Sequence, residues 1–347
     1  MKLLYFNLSM DINDPPLAFT SKWAEKISRE YDKVYIITLR SSDNLELNKN
    51  IEVYPLYGKS ENKLFAIFKF YKFLFKIIIS NKIDRCFCHM NPLFLAMTFG
   101  MLRVFRIKTI LWYTHPSVTF KLNLATIFAN RIISATEYSF PIKTNKFSSI
   151  GHAIDTEIFI EDRCKYEYIS CVGRISRSKN IDVLIKAYSL LESPLFELLI
   201  VGNPITTEDF EYQKELDSLI IKSKNSDMIK TIRAVSRTNL NEIFNKSYLH
   251  VNLTSNGFFD KVNLEAMACG TISLSSNEGA KIIYENYSNK CLFKFRDTAD
   301  LHDKIKYFQE LEQEHFKEIS NLLKQNVNKY CSLATIGKRI NAQFEKL

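Results

Sequence analysis

Two cations and one carboxylate stand where chemistry could be done. In CVGRISRSKNIDVLIKAYSLL (171–191) an apolar run ends at Gly173 and a polar loop carries Arg174, Arg177 and Lys179. Ile181, Leu184, Ile185, Tyr188 and Leu191 then recur at helical spacing. Strand, loop and helix follow in order, so Arg174 and Lys179 fall at the edge where open parallel sheets bind ligands. A diphosphate there would gain a point charge from the lysine, forked hydrogen bonds from the arginine and the amides of a helix N-terminus. Spacing alone equally allows plain solvated loop charges.

In LTSNGFFDKVNLEAMACGTISLSS (253–276) a strand runs through a Gly-containing loop into a short helix carrying Glu265, which stops at Gly270. Ala266, Ala268, Cys269 and Gly270 are small enough for close backbone approach. A carboxylate among them can accept two hydrogen bonds from vicinal hydroxyls such as those of a ribose; an exposed helix glutamate is the plainer alternative. Asn256, Gly257, Phe258, Phe259 and Asp260 form the preceding loop, whose amides can meet a second polar group. His115 follows TILWY (109–113) and precedes Pro116, which puts an imidazole on a loop at a sheet edge, where it can contact a phosphate or hydroxyl or exchange a proton near neutrality. A solvated or structural histidine fits that position too, as it does His152 in IGHAID.

The elements needed to position these residues are legible. KLLYFNL (2–8), a helix near 17–30, KVYIITL (33–39), TILWY (109–113) and RIISAT (131–136) alternate strand with helix. So do YISCVG (168–173), a helix from about 180, LLIVG (198–202), YLHVNLT (248–254), a helix over 262–269 and TISLS (271–275). Such alternation predicts parallel βαβ units. At 347 residues the chain has room for two domains. The predicted fold class is α/β with two Rossmann-like domains, 1–160 and 161–334, and a terminal helix over 335–347 that packs back on the first. The boundary is placed near residue 160, where SSIGHAIDTEIFIEDRCKYE (148–167) loses its periodicity.

Composition narrows the partners. Lys and Arg number 47 against 38 Asp and Glu, a net charge of +9 that favours an anionic partner such as a phosphate-bearing substrate, a membrane surface or nucleic acid. Seven scattered cysteines lack the paired spacing of a zinc site and suit a reducing compartment. Six scattered histidines offer no pair on one helix face, so no metal is expected. The opening MKLLYFNLSMDINDPP reads as neither signal nor anchor, which makes the cytoplasm the expected location.

One segment stands apart. KLFAIFKFYKFLFKIIISNK (63–82) interleaves Phe65, Phe68, Phe70, Phe73 and Phe75 with Lys69, Lys72 and Lys76 on one helical face. Three lysines argue against a transmembrane span and for an interfacial helix meeting anionic headgroups. Burial against the first sheet, with an exposed lysine stripe, is compatible with that reading.

Taken together, VGRISRSKNIDVLIKAY, LLIVGN and LEAMACGTISLSSNEGAKIIYEN resemble, in order, three segments of glycosyltransferase family four, which has the GT-B superfold. IGHAIDTEIF is similar to that family's interdomain crossing, and HPSVTFKLNLA with RIISATEYSFPIKTNK to a first-domain pattern of one branch. The resemblance implies two Rossmann-like domains facing a cleft and retaining transfer of a sugar from a nucleotide diphosphate donor, without a cofactor or bound metal. It implies that Arg174 and Lys179 hold the donor diphosphate, while Glu265 holds the ribose hydroxyls; His115, read from its place at the sheet edge, joins the two cations as the candidate catalytic set. Asn256, Gly257, Phe258, Phe259, Asp260, Lys261 and Leu264 complete the donor site. Many members carry a glutamate eight positions before the Glu265 equivalent; Gly257 stands there in this chain, within NGFFDKVNLE, which resembles a branch using Asp-Lys. The first strand lacks the family's glycine pair, so contacts near residues 9–16 do not transfer.

The expected partners are a nucleotide-sugar donor, a lipid-linked or surface-glycan acceptor and, through residues 63–82, an anionic membrane at whose inner face the protein would sit peripherally. Nucleic acid is not expected, because no nucleic-acid motif is present. Two other readings remain open at this point: a sugar-nucleotide epimerase of the same superfold, and a non-catalytic basic protein that binds membrane or nucleic acid.

Overall fold

The structure is a computed structural model that describes residues 1–11, 19–42, 45–57, 62–162, 165–257 and 259–347, the side chain of residue 99 excepted. It divides into two compact units, Met1–Gly151 with Leu333–Leu347, and His152–Ser332.

The first unit is built on strands β1 (Lys2–Met10), β2 (Lys33–Ser41), β3 (Ile51–Pro55), β4 (Arg85–His89), β5 (Lys108–Trp112), β6 (Arg131–Ser134) and β7 (Phe147–Ser149). All pair in parallel, in the order β3-β2-β1-β4-β5-β6-β7. Helices α1 (Phe19–Ser28), α2 (Lys63–Ser80), α3 (Pro92–Val104) and α4 (Phe120–Phe128) make the crossovers. Every residue of β4, RCFCH, is buried, as expected of a parallel strand covered on both faces.

Helix α2 resolves the reading of 63–82 residue by residue. Ala66, Phe70, Leu74, Ile77 and Ile78 are buried, and Phe70 stacks near Phe6 and Phe94. Phe70 and the partly buried Phe73 therefore serve the core and not the outer face. The outer face carries Leu64, Phe65, Ile67, Phe68, Phe75 and Ile79, all exposed, beside Lys72 and Lys76.

The second unit holds β8 (Tyr168–Val172), β9 (Glu197–Val201), β10 (Ile229–Ile232), β11 (Ser247–Asn252) and β12 (Ile272–Ser275), parallel in the order β10-β9-β8-β11-β12. Helices α5 (Ile181–Ser189), α6 (Thr207–Lys222), α7 (Arg237–Lys246) and α8 (Lys261–Ala268) connect them; the short α9 (Lys281–Tyr284) and α10 (Ser288–Cys291), then α11 (Thr298–Gln309) and α12 (Gln313–Cys331), follow. Chain order reverses between β8 and β11, which makes their carboxyl ends the topological switch point where such sheets take ligands.

The division falls at Gly151/His152, earlier than the expected residue 160. The reason is local: Ile154 donates its amide to the Cys331 carbonyl at 2.9 Å, and Phe159 packs its ring 6.0 Å from Phe244, so His152–Ile160 condenses on the second core. The terminal helix α13 (Ile336–Glu345) packs on the first unit. A Cβ on Gly337 would lie 2.8 Å from the Lys26 carbonyl oxygen, so a glycine is needed where α13 crosses α1. Arg85 fastens it, donating to Glu345 at 2.6 Å and to Asn341.

Candidate functional site

The site is built outward from the end of β8. The Gly173 amide donates to the Val201 carbonyl at 3.0 Å and the Ile175 amide to that of Asn203, also at 3.0 Å, so the loops after β8 and β9 run side by side. A Cβ on Gly202 would meet the Gly173 carbonyl oxygen at 1.9 Å; only glycine permits that approach. The loop continues through a 3₁₀ turn, Arg177–Lys179, to Asn180, which adopts a left-handed conformation at φ 48°. The Asn180 amide group donates to the Leu253 carbonyl at 3.1 Å and its oxygen accepts from Arg296 at 2.8 Å. This fixes the turn against the end of β11. The Lys179 stem lies over Gly173, where an added Cβ would come within 3.7 Å of Cε.

Lys179 Nζ donates to Asp260 Oδ2. Asp260 is the N-cap residue of α8, yet its carboxylate makes no capping bond to that helix. The same oxygen instead accepts a second hydrogen bond, from Asn252 Nδ2 at 3.0 Å, and Asn252 Oδ1 accepts from Thr254 Oγ1 at 2.7 Å. Lysine from the β8 loop and aspartate from the β11 loop thus meet at the switch point.

One turn further along α8, Glu265 is buried and accepts from Arg237 Nη2 at 2.8 Å. Burial raises its carboxyl pKa, against the pull of Arg237 and Lys261, while Asp155 and Asp260 push it further up. Burial also depresses Lys261, to about 8, with Glu265 opposing and Arg237 assisting. Arg237 is half-exposed and its guanidinium lies 5.3 Å from the Phe159 ring centroid. Sequence reading missed Arg237, although its place at the start of α7, after β10, puts it at the carboxyl edge of the sheet.

The remaining expected residues are scattered in their roles. Arg174 pairs with Asp209, Nε to Oδ2 at 3.5 Å, and not with the group around Lys179. Burial pushes Asp209 up, but the amides of Thr206 and Ile205, together with Arg174, hold it below the usual carboxylate range. Asn256 Oδ1 accepts the Glu278 amide at 2.7 Å, Gly257 takes φ 94°, and Phe259 packs partly on the core. Leu264 is wholly buried in the core, so its side chain fills the interior and does not face a ligand. Phe258 and residues 12–16 lie outside the described residues.

His115 belongs to the first unit, on the exposed loop after β5, where its Nδ1 accepts the Ser117 amide at 3.1 Å. His152 is buried, and its Nδ1 accepts the Ala153 amide at 2.8 Å. Two cavities flank the β8 loop. One of about 360 Å3 is lined by Gly202, Asn203, Phe210, Gln213, Thr231 and Arg233 among others, and one of about 450 Å3 by Arg177, Asp182, Tyr212, Glu215 and Arg296. Neither is lined by Lys179, Asp260 or Glu265. Among the described residues no group of three or more His, Cys, Asp or Glu is placed to hold a metal, and no helix is long and apolar enough to cross a membrane.

Residues 155–326 match the family model of glycosyl transferases group 1. No curated protein matches the chain. Among solved structures, Anabaena Alr3699/HepE in complex with UDP superimposes with a TM-score of 0.76 at 16% identity, covering 100% of both chains. Sucrose-phosphate synthase from Thermosynechococcus elongatus gives 0.74 at 14%, over 100% of this chain and 98% of that one. The lipopolysaccharide outer core galactosyltransferase WaaB, in its apo form, gives 0.73 at 13%, over 100% of both. Fold and family match agree: the chain has the GT-B fold, and residues 155–326 match group 1 glycosyl transferases. Its second unit carries the group 1 glycosyltransferase domain, in keeping with the family-four resemblance of the sequence.

Proposed function

We propose that the protein transfers a sugar, with retention and without a metal ion, from a nucleoside diphosphate donor to a lipid-linked or surface-glycan acceptor. The observation that carries this reading is the meeting of Lys179 and the Asp260–Glu265 helix start at the switch point of the second sheet. A preorganised ammonium at that edge stabilises charge as it develops on the leaving diphosphate, work that a divalent ion would otherwise do. Arg174, half-exposed on the same loop, supplies a second cation. Glu265 accepts the ribose hydroxyls, either sharing its carboxylate with Arg237 or displacing it into solvent. The structures of HepE with UDP and with UDP-glucose support a nucleotide-sugar donor, and WaaB supports a cell-surface glycan acceptor. The exposed apolar and cationic face of α2 supports transfer at an anionic membrane surface, from the cytoplasmic side.

Two substitutions test the assignment. Removing a hydrogen bond to a charged group costs about 1.5–3 kcal/mol, so Lys179→Ala and Glu265→Gln should each weaken nucleoside-diphosphate binding roughly tenfold to a hundredfold. Lys179→Ala should bind the bare nucleoside like wild type, whereas Glu265→Gln should lose nucleoside and diphosphate alike. Wild-type binding and turnover by both variants would place the donor elsewhere. Conversion of the donor sugar in the absence of any acceptor would mark an epimerase instead.

A further inference from the structure

We infer that Asn252 is a positioning residue for the donor diphosphate, acting through Asp260 on Lys179. The inference rests on the reading of Lys179 as the diphosphate ligand. A lysine side chain carries about 2 kcal/mol of rotamer entropy, so an ammonium that must meet a diphosphate at one place gains from being held there beforehand.

The structure holds it by a directional chain. Thr254 Oγ1 donates to Asn252 Oδ1 at 2.7 Å, and that bond settles which end of the amide faces which way. Asn252 Nδ2 is thereby turned to Asp260 Oδ2, at 3.0 Å, and Asp260 accepts Lys179 on the same oxygen. Asn252 and Thr254 are both buried, so the chain starts from a rigid base at the end of β11. Asp260 needs that base because it occupies the N-cap of α8 without bonding to the helix amides that normally fix such a side chain. With the Asn252 amide removed, the carboxylate keeps its charge but loses its direction, and Lys179 loses its fixed position with it. Asn252 itself makes its polar contacts with Thr254 and Asp260, one residue away from Lys179.

A double-mutant cycle separates this role from a merely structural one. Binding of UDP, GDP and ADP and of the matching nucleosides is measured by calorimetry, and the tightest pair is carried forward. Asn252→Ala should weaken the diphosphate by about threefold to thirtyfold, in the range of coupled neighbours, and leave the nucleoside unchanged. In a Lys179→Ala background it should have no further effect. Thr254→Val, which removes only the first link and keeps its volume, should show the same ligand signature to a smaller degree, and it serves where Asn252→Ala lowers the thermal midpoint too far for titration. Equal losses in both backgrounds, or equal losses of nucleoside and diphosphate, would overturn the inference. If Lys179→Ala alone leaves diphosphate affinity intact, the donor-site reading fails first and this inference with it.

Discussion

Gly202→Ala should damage fold and donor binding together, by amounts the geometry sets. The new methyl would lie 1.9 Å from the Gly173 carbonyl oxygen and 3.0 Å from its carbon, both fixed backbone atoms, so the two loops must part by more than about 1 Å. Parting strains the hydrogen bonds from Gly173 to Val201 and from Ile175 to Asn203, each worth about 0.5–1.5 kcal/mol net. Overpacking adds about 1–3 kcal/mol, for a total near 2–6 kcal/mol. In a unit of this size that lowers its unfolding midpoint by about 4–24 °C. The Lys179 stem lies on Gly173 and moves with it. A displacement of about 1 Å at a positioning group can cost on the order of a hundredfold in rate, so turnover should fall further than stability alone explains. Thermal unfolding, nucleoside-diphosphate titration and turnover are measured side by side. Gly100→Ala is the control: it lies in α3 with no neighbour within 4 Å of the new Cβ, and should be neutral or stabilising by about 0.4–1 kcal/mol. A Gly202→Ala protein with the wild-type midpoint and donor affinity would refute the close approach of the two loops and the placement of Lys179 that depends on it.

Other outcomes follow from particular groups. Replacing Lys69, Lys72 and Lys76 by Glu should cut sedimentation with anionic vesicles by about a hundredfold, at about 1 kcal/mol per lysine removed, and unchanged binding by the folded variant would rule out α2 as the contact. Lys261 has a folded-state pKa near 8 against 10.5 for an unperturbed lysine, so between those values the unfolded chain binds the extra proton and this group's contribution to stability rises with pH. Lys261→Met should therefore be more stable than wild type at pH 7, with the gap closing by pH 10; a gap constant with pH would show that Lys261 is not desolvated. Activity should survive chelation by EDTA, and complete loss restored by magnesium or manganese would overturn the metal-free reading.

The β8 loop was legible because its signals are local: an apolar strand, a glycine, cations and a helical stripe come in one unbroken run, Cys171–Leu191. In α2 the sequence set Phe70 and Phe73 beside Phe65, Phe68 and Phe75, and the period separates them only once it is known which face is buried, with Ala66, Phe70 and Leu74 upon it. What stayed hidden joins residues distant in sequence. Arg237 reaches Glu265 from another helix, and no spacing rule connects the two. Leu264 adjoins Glu265 in the motif but points inward, because on a helix buried almost throughout, such as α8, neighbouring positions have opposite fates. The boundary was placed late because His152–Ile160 has no regular element of its own; its allegiance comes from Ile154 meeting Cys331 and Phe159 meeting Phe244. Residue types at the ends of strands thus announce that a ligand edge exists, while the partners of those residues decide what each one can still offer to a ligand. Lys179 can exchange or share the carboxylate that holds it, since ammonium has three donors. Burial raises the pKa of Glu265 and Arg237 and Lys261 pull it back down, so what it offers a ligand depends in part on Arg237, a cation that the motif does not contain.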